Sequence, residues 1–138
     1  MYKYLFLYFI SVLFFAQPLL SQDSSKTIQK KSNGKAKIQY GIASYYSNKF
    51  NGRKTSNGEI FSQQKMTAAH NSLPLGTYVR VTNLRNGRTV VVKINDRLHH
   101  RNKRLIDLTR AAAGKLGFLK SGLTRVKLEV LGKKPLAK

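Results

Sequence analysis

Thr77-Tyr-Val-Arg-Val-Thr82, the pair Asn86-Gly87 and Thr89-Val-Val-Val-Lys-Ile94 read together as a β-hairpin, and this reading sets the fold class. In the first run Val79 and Val81 fall on one face while Tyr78 and Arg80 fall on the other, the period-two pattern of a strand with one buried side. An Asn-Gly pair between two β-branched runs marks a turn because both residues tolerate the left-handed backbone that tight hairpins require. The same reasoning extends outward. Ile38 to Tyr46 is a β-run containing Gly41, and Thr124 to Leu131 alternates Val126, Leu128 and Val130 against Lys127 and Glu129. Asn51-Gly52 and Asn57-Gly58 punctuate a loop after the first of these runs. One stretch alone reads as helix: Thr109 as N-cap, Arg110 to Leu116 with three consecutive alanines, and Gly117 as the stop, with Gly114 a weak point inside. The expected architecture is a small, mainly β barrel with one short helix.

The ends of the chain read differently. Met1-Tyr-Lys3 is a short positive start, Tyr4 to Phe15 is almost wholly apolar, and Ala16 to Gln22 brings in small and polar residues, which makes residues 1–21 a secretory signal peptide. The competing reading is an uncleaved membrane anchor over Tyr4 to Leu20. Both take the folded part out of the cytoplasm, so an exported protein of the periplasm or cell envelope, or a secreted one, is expected. Residues 22–37 are Ser, Gln, Lys, Asn and Gly with few apolar side chains and are expected to be a disordered linker. The barrel domain is expected over 38–132, with a basic tail at 133–138. There is no cysteine, which removes disulfides, thiolate nucleophiles and cysteine zinc sites.

Twenty-six Lys and Arg stand against five acids, a formal net charge of +21. Such a field steers association with polyanions, and outside the cytoplasm these are cell-wall polymers and anionic lipid surfaces. Nucleic acid is not expected as a partner: the compartment is wrong, and the aromatics do not interleave with the basic residues as stacking platforms would. No Gly-rich phosphate loop is present, and no cofactor is expected. His70, His99 and His100 lack the spacing of a metal site, so no metal is expected either. Membrane contact is expected only if the leader stays attached, and a monomer is the expected state. The acids themselves point to chemistry, because Glu59, Asp96 and Asp107 fall in the loop-rich middle of the globular stretch.

Four segments carry a specific pattern: Gly41-Ile-Ala-Ser-Tyr-Tyr46, Gly52-Arg-Lys-Thr-Ser-Asn-Gly-Glu59, Met66-Thr-Ala-Ala-His70 with Leu73-Pro-Leu-Gly76, and Ile94-Asn-Asp-Arg97 followed by Arg104-Leu-Ile-Asp-Leu-Thr109. In this order and spacing they resemble the rare lipoprotein A (RlpA) family, a double-psi β-barrel group that includes peptidoglycan lytic transglycosylases. The resemblance implies a six-stranded double-psi barrel and, as partner and substrate, peptidoglycan glycan strands, cut between N-acetylmuramic acid and N-acetylglucosamine with a 1,6-anhydro product. Anionic envelope polymers are further candidate partners. It points to Asp96 as the catalytic acid, with Glu59 and His70 in support. Tyr45, Asn57, Thr67, Arg97 and Asp107, in or beside the same motifs, are the expected substrate-binding residues. A lytic transglycosylase needs no activated water, so one carboxyl group can serve as acid and then as base.

Each candidate also has a structural reading. Asp96 can cap the turn after the Thr89 to Ile94 strand, Asp107 can bond loop amides before the helix, Glu59 follows an ordinary Asn-Gly turn, and His70 can be a satisfied core histidine. Tyr45 and Tyr46 alternate across a strand, so at most one is expected to line a sugar groove. Neighbouring cations such as Arg97 should lower the pKa of Asp96, so a nearby anion, Glu59 or Asp107, is expected to lift it, with at least two of the three acids sharing one groove. The chain departs from the family pattern at Ser62, where relatives carry Asp, and at Leu98-His99, where Gly-Pro is common. These departures keep a non-catalytic, expansin-like glycan-binding module as the alternative. An inverting hydrolase would instead require a second carboxylate roughly 6.5–9.5 Å from the acid.

Overall fold

The computed structural model describes residues 37–133. The expected signal peptide, all of the linker but residue 37, and the tail after residue 133 lie outside the described residues.

Six strands close into a barrel. In chain order they are β1 (Ile38–Tyr45), β2 (Thr67–Ala69), β3 (Tyr78–Asn83), β4 (Thr89–Asp96), β5 (Ile106–Leu108) and β6 (Thr124–Gly132), with one helix, α1 (Arg110–Leu116), between the last two. Around the barrel the order is β1-β5-β2-β4-β3-β6. The β1/β5 and β2/β4 pairs are parallel and the other four antiparallel, which is the six-stranded, one-helix barrel the sequence motifs imply.

The hairpin reading holds for its two strands, which pair antiparallel. Val79, Val81, Val92 and Ile94 are fully buried, while Tyr78 and Arg80 face outward. The connection is longer than a two-residue turn, because Asn83 N bonds Arg88 O and Gly87 N bonds Asn83 O, with Gly87 at φ 74°. The core adds Ile106, Leu108, Val126 and Leu128 from neighbouring strands and Ala112, Ala113 and Leu116 from α1. Burying each of the Val, Ile and Leu side chains contributes about 1.5–3 kcal/mol. The helix ends as expected: Thr109 Oγ1 accepts from Ala112 N, and Gly117 adopts a left-handed φ of 75° that stops the helix.

Periodicity alone finds only four of the six strands. β2 and β5 are three residues each, too short to show alternation, and they persist because strands on both sides supply hydrogen bonds. The expectation that Asp96 and Asp107 sit in loops is corrected here. Parallel pairing with β2 carries β4 two residues past Ile94 to Asp96, and Asp107 is the outward residue of β5 between buried Ile106 and Leu108.

Gly41 in β1 is required for a steric reason: a Cβ there would sit 2.7 Å from Leu105 Cβ. Gly41→Ala is expected to destabilise the domain by about 1–3 kcal/mol through overpacking, read as a lowered midpoint in urea denaturation. Wild-type stability in that variant would contradict the packing described.

Candidate active site

β2 sets the geometry. Ala69 pairs with Asp96 on one side and with Asp107 on the other, so the two Cα atoms stand about 10 Å apart, two strand spacings. Both acids line a groove of about 540 Å³, a volume typical of ligand clefts. Tyr45, Tyr46, Arg97 and Arg104 also line it, together with Lys49, a further positive charge, and His99. Four of the residues expected from the motifs therefore meet here: Asp96, Arg97, Asp107 and Tyr45. Glu59, His70, Asn57 and Thr67 are not among the lining residues.

Asp96 is held by two distant segments. Tyr46 Oη donates to Oδ2 at 2.7 Å, while Ser56 donates to Oδ1 through its amide at 3.0 Å and its hydroxyl at 2.7 Å. Burial is the largest single influence on the carboxyl and pushes its pKa up, but the hydrogen bonds from Tyr46, Ser56 and the Arg97 backbone together outweigh it, and the net shift is downward. The expected lift from a neighbouring anion is thus overturned. Asp107 is bound at both oxygens by Arg104, at 2.8 and 2.9 Å, and accepts from Ser44 Oγ at 2.6 Å, so its charge is compensated before it reaches Asp96. The same contacts raise Tyr46: burial first, then its bond to Asp96, keep the phenol protonated and donating.

Glu59 anchors the loop that delivers Ser56. Its Oε1 is paired with Lys93 and accepts from Asn57 Nδ2 at 2.8 Å, and its Oε2 accepts from Asn95 Nδ2 at 3.1 Å. The Lys93 bond, followed by that from Asn95, holds its pKa down to about 2. Asn57 N also bonds Asn95 O, which fastens the loop to β4 beside Asp96. Asn57 is therefore spent on Glu59 and the loop, and Thr67 is buried in β2 with its carbonyl taking Thr109 N.

His70 is buried and fully engaged. Its Nδ1 accepts from the Ser72 and Leu73 amides at 3.1 and 3.2 Å, which leaves Nε2 as the protonated nitrogen facing Gln39 Oε1 at 2.9 Å. Burial, then Arg97 and Lys37, lower its pKa, so the ring is neutral. It reaches Asp96 through backbone alone, His70 N to Asp96 O, and Arg97 Nη1 closes the corner on His70 O at 2.7 Å.

Two residues escaped the sequence reading. β1 ends at Tyr45, so Tyr46 leaves the alternation and both tyrosines reach the groove, against the expectation of one. Tyr46 also stacks on Phe61 at 4.4 Å between ring centres, while Tyr45 turns its hydroxyl to Leu119 O. Ser56 had no signal beyond its place in the Gly52 to Glu59 motif.

A family model described as lytic transglycolase matches residues 38–128. The endolytic peptidoglycan transglycosylase RlpA of Haemophilus influenzae is 47% identical over 108 residues, covering 77% of this chain and 38% of that protein. A probable endolytic peptidoglycan transglycosylase RlpA of Synechocystis is 52% identical over 109 residues, covering 79% and 32%. The chain thus spans about a third of the length of these relatives. Among solved structures, the apo expansin of Clavibacter michiganensis superposes with a TM-score of 0.59 at 21% identity, covering 72% of this chain and 52% of that one. The Streptomyces papain inhibitor superposes at 0.56 and 23%, covering 68% and 94%. At such identities the likeness carries the fold alone.

Removing a donor to the ionised form raises a carboxyl pKa. Tyr46→Phe is therefore expected to move the Asp96 titration, followed by carboxyl-carbon NMR, upward from the wild-type value; an unchanged midpoint would mean that the bond does not hold the charge. Glu59 has the opposite role in stability. Its folded pKa of about 2 lies below the ordinary glutamate value of 4.5, so its contribution is complete above that value and is lost as pH falls toward 2. Melting temperature should drop across this window, and Glu59→Gln should flatten the drop while lowering stability at neutral pH.

Proposed function

The chain belongs to the RlpA family of lytic transglycolase double-psi β-barrels, and from that premise we propose that it is an exported enzyme that cleaves peptidoglycan glycan strands between N-acetylmuramic acid and N-acetylglucosamine. The observation that carries this reading is one carboxylate, Asp96, fixed at the edge of an aromatic and cationic groove by Tyr46 and Ser56. Export is supported by the apolar leader and by the peptidoglycan named for the relatives.

Asp96 acts twice. As the acid it gives its proton to the glycosidic oxygen while the bond from that oxygen to the muramyl anomeric carbon breaks. As the base it then takes the proton of the muramyl 6-hydroxyl, whose oxygen closes on the same carbon. No water is consumed, and the carboxyl group ends as it began. In the free protein Asp96 is ionised, so it must gain a proton as substrate binds. Sugar filling the groove excludes water and strengthens the burial that already pushes the pKa up. Arg97 and Arg104 hold the strand, and Glu59, Asn57 and His70 act at one remove by fixing the loops that aim Asp96. An inverting hydrolysis is disfavoured because Asp107 is turned to Arg104 and Ser44. A glycan-binding module without turnover is the second reading, and it is the low pKa of Asp96 in the free protein that favours it.

Mass spectrometry of products from purified glycan strands separates these readings: anhydromuramyl ends are expected, reducing ends would indicate hydrolysis, and intact strands that still bind would indicate the non-catalytic module. Asp96→Asn is expected to lower the rate by about 10²–10⁴-fold with the melting temperature nearly unchanged. Full activity in that variant would remove Asp96 from the mechanism.

A further inference from the structure

The barrel has a second concavity, at the end away from Asp96. β4 runs between them, from Thr89 at this end to Asp96 at the groove, a span of roughly 23 Å at strand rise. A pocket of about 340 Å³ lies there, lined by Asn83, Arg85, Asn86, Phe118, Lys120 and Thr124. Its neutral polar groups are occupied in holding the wall: Asn83 and Asn86 both donate to Leu116 O at 2.8 Å, and Thr124 Oγ1 donates to Asn83 Oδ1 at 2.8 Å.

Charge is what remains uncommitted. Arg85, Arg88, Lys120 and Arg125 are exposed at this end, and none forms an ion pair among the described residues. No carboxylate lines the pocket. Beside these cations stand two exposed leucines, Leu84 and Leu123, at 47% and 51% exposure. Leu84 N bonds Arg125 O at 3.0 Å, and Leu123 lies two residues before Arg125, so the leucines flank the basic cluster.

A water-soluble polyanion asks only for the cations. An anionic bilayer offers phosphates to the cations and an acyl boundary to the leucines, so it uses both features. We propose that this end of the barrel docks on an anionic phospholipid surface, with a headgroup phosphate in the pocket between Arg85 and Lys120 and with Leu84 and Leu123 entering the acyl boundary. The groove at Asp96 then faces away from the bilayer. The docking does not depend on the glycan chemistry proposed for that groove.

Because Tyr4 to Phe15 are themselves apolar, the test reads position rather than total binding. The chain has no cysteine, so Leu123→Cys or, near the groove, Lys103→Cys takes a single environment-sensitive fluorophore in the full chain. With vesicles of phosphatidylglycerol and phosphatidylcholine carrying brominated acyl chains, the label at position 123 is expected to be quenched and that at position 103 not. Arg85→Ala with Lys120→Ala should lower partitioning at position 123 about 25-fold, about fivefold for each charge, and Leu84→Ser about tenfold. Equal quenching at position 103, undiminished quenching on pure phosphatidylcholine, or no effect of the Arg85 and Lys120 substitutions would overturn the proposal. So would inorganic polyphosphate binding together with vesicle binding that Leu84→Ser leaves unchanged, which would mark the pocket as a site for soluble phosphate polymers.

Discussion

Three hydrogen bonds to one carboxylate organise the groove. Tyr46 and Ser56 reach Asp96 from 50 and 40 residues away in sequence, and they set both where the carboxylate stands and whether it is charged. The bonds and burial oppose each other: burial favours the neutral acid, the donors favour the anion, and in the free protein the donors prevail. A group balanced in this way can change protonation when one side of the balance changes. In the proposed reaction, substrate filling the groove would deepen the burial, the side of the balance that loads a proton.

The barrel makes this arrangement possible through its two shortest strands. β2 joins β4 in parallel and β5 antiparallel, so one alanine, Ala69, separates Asp96 from Asp107. The two acids then take different partners. Asp107 is neutralised by Arg104 and fixed by Ser44, whereas Asp96 receives only uncharged donors through its side chain. Glu59, tied to Lys93, serves the loop that carries Ser56. In a chain with so few acids, each described carboxylate near the groove thus has a separate task, and only Asp96 is left without a cationic side chain bonded to it.

Much of the fold was legible in the sequence, and the reasons for the rest are physical. The valine alternation of β3 and the Asn86-Gly87 signal locate the hairpin, and Thr109 and Gly117 bracket α1, because these features act locally. β2 and β5 carry no local signal, since three residues cannot display a period, and only the motif resemblance implied six strands. At the site, the residue types in the motifs nominated Asp96, Arg97, Asp107 and Tyr45, which do line the groove. Alternation misjudged Tyr46, whose position depends on where β1 stops; beyond that stop its ring packs against Phe50 and Phe61. The direction of the Asp96 shift was likewise beyond sequence, because it depends on Ser56 arriving from a loop held by Glu59 and Asn95.

The most direct test of the balance at Asp96 is its carboxyl-carbon NMR titration in the free protein and again with a thioglycoside analogue of the glycan strand filling the groove. A midpoint below that of an ordinary aspartate is expected when free, and a clear rise when the analogue is bound. A midpoint that stays low in the complex would contradict a proton-donating role for Asp96.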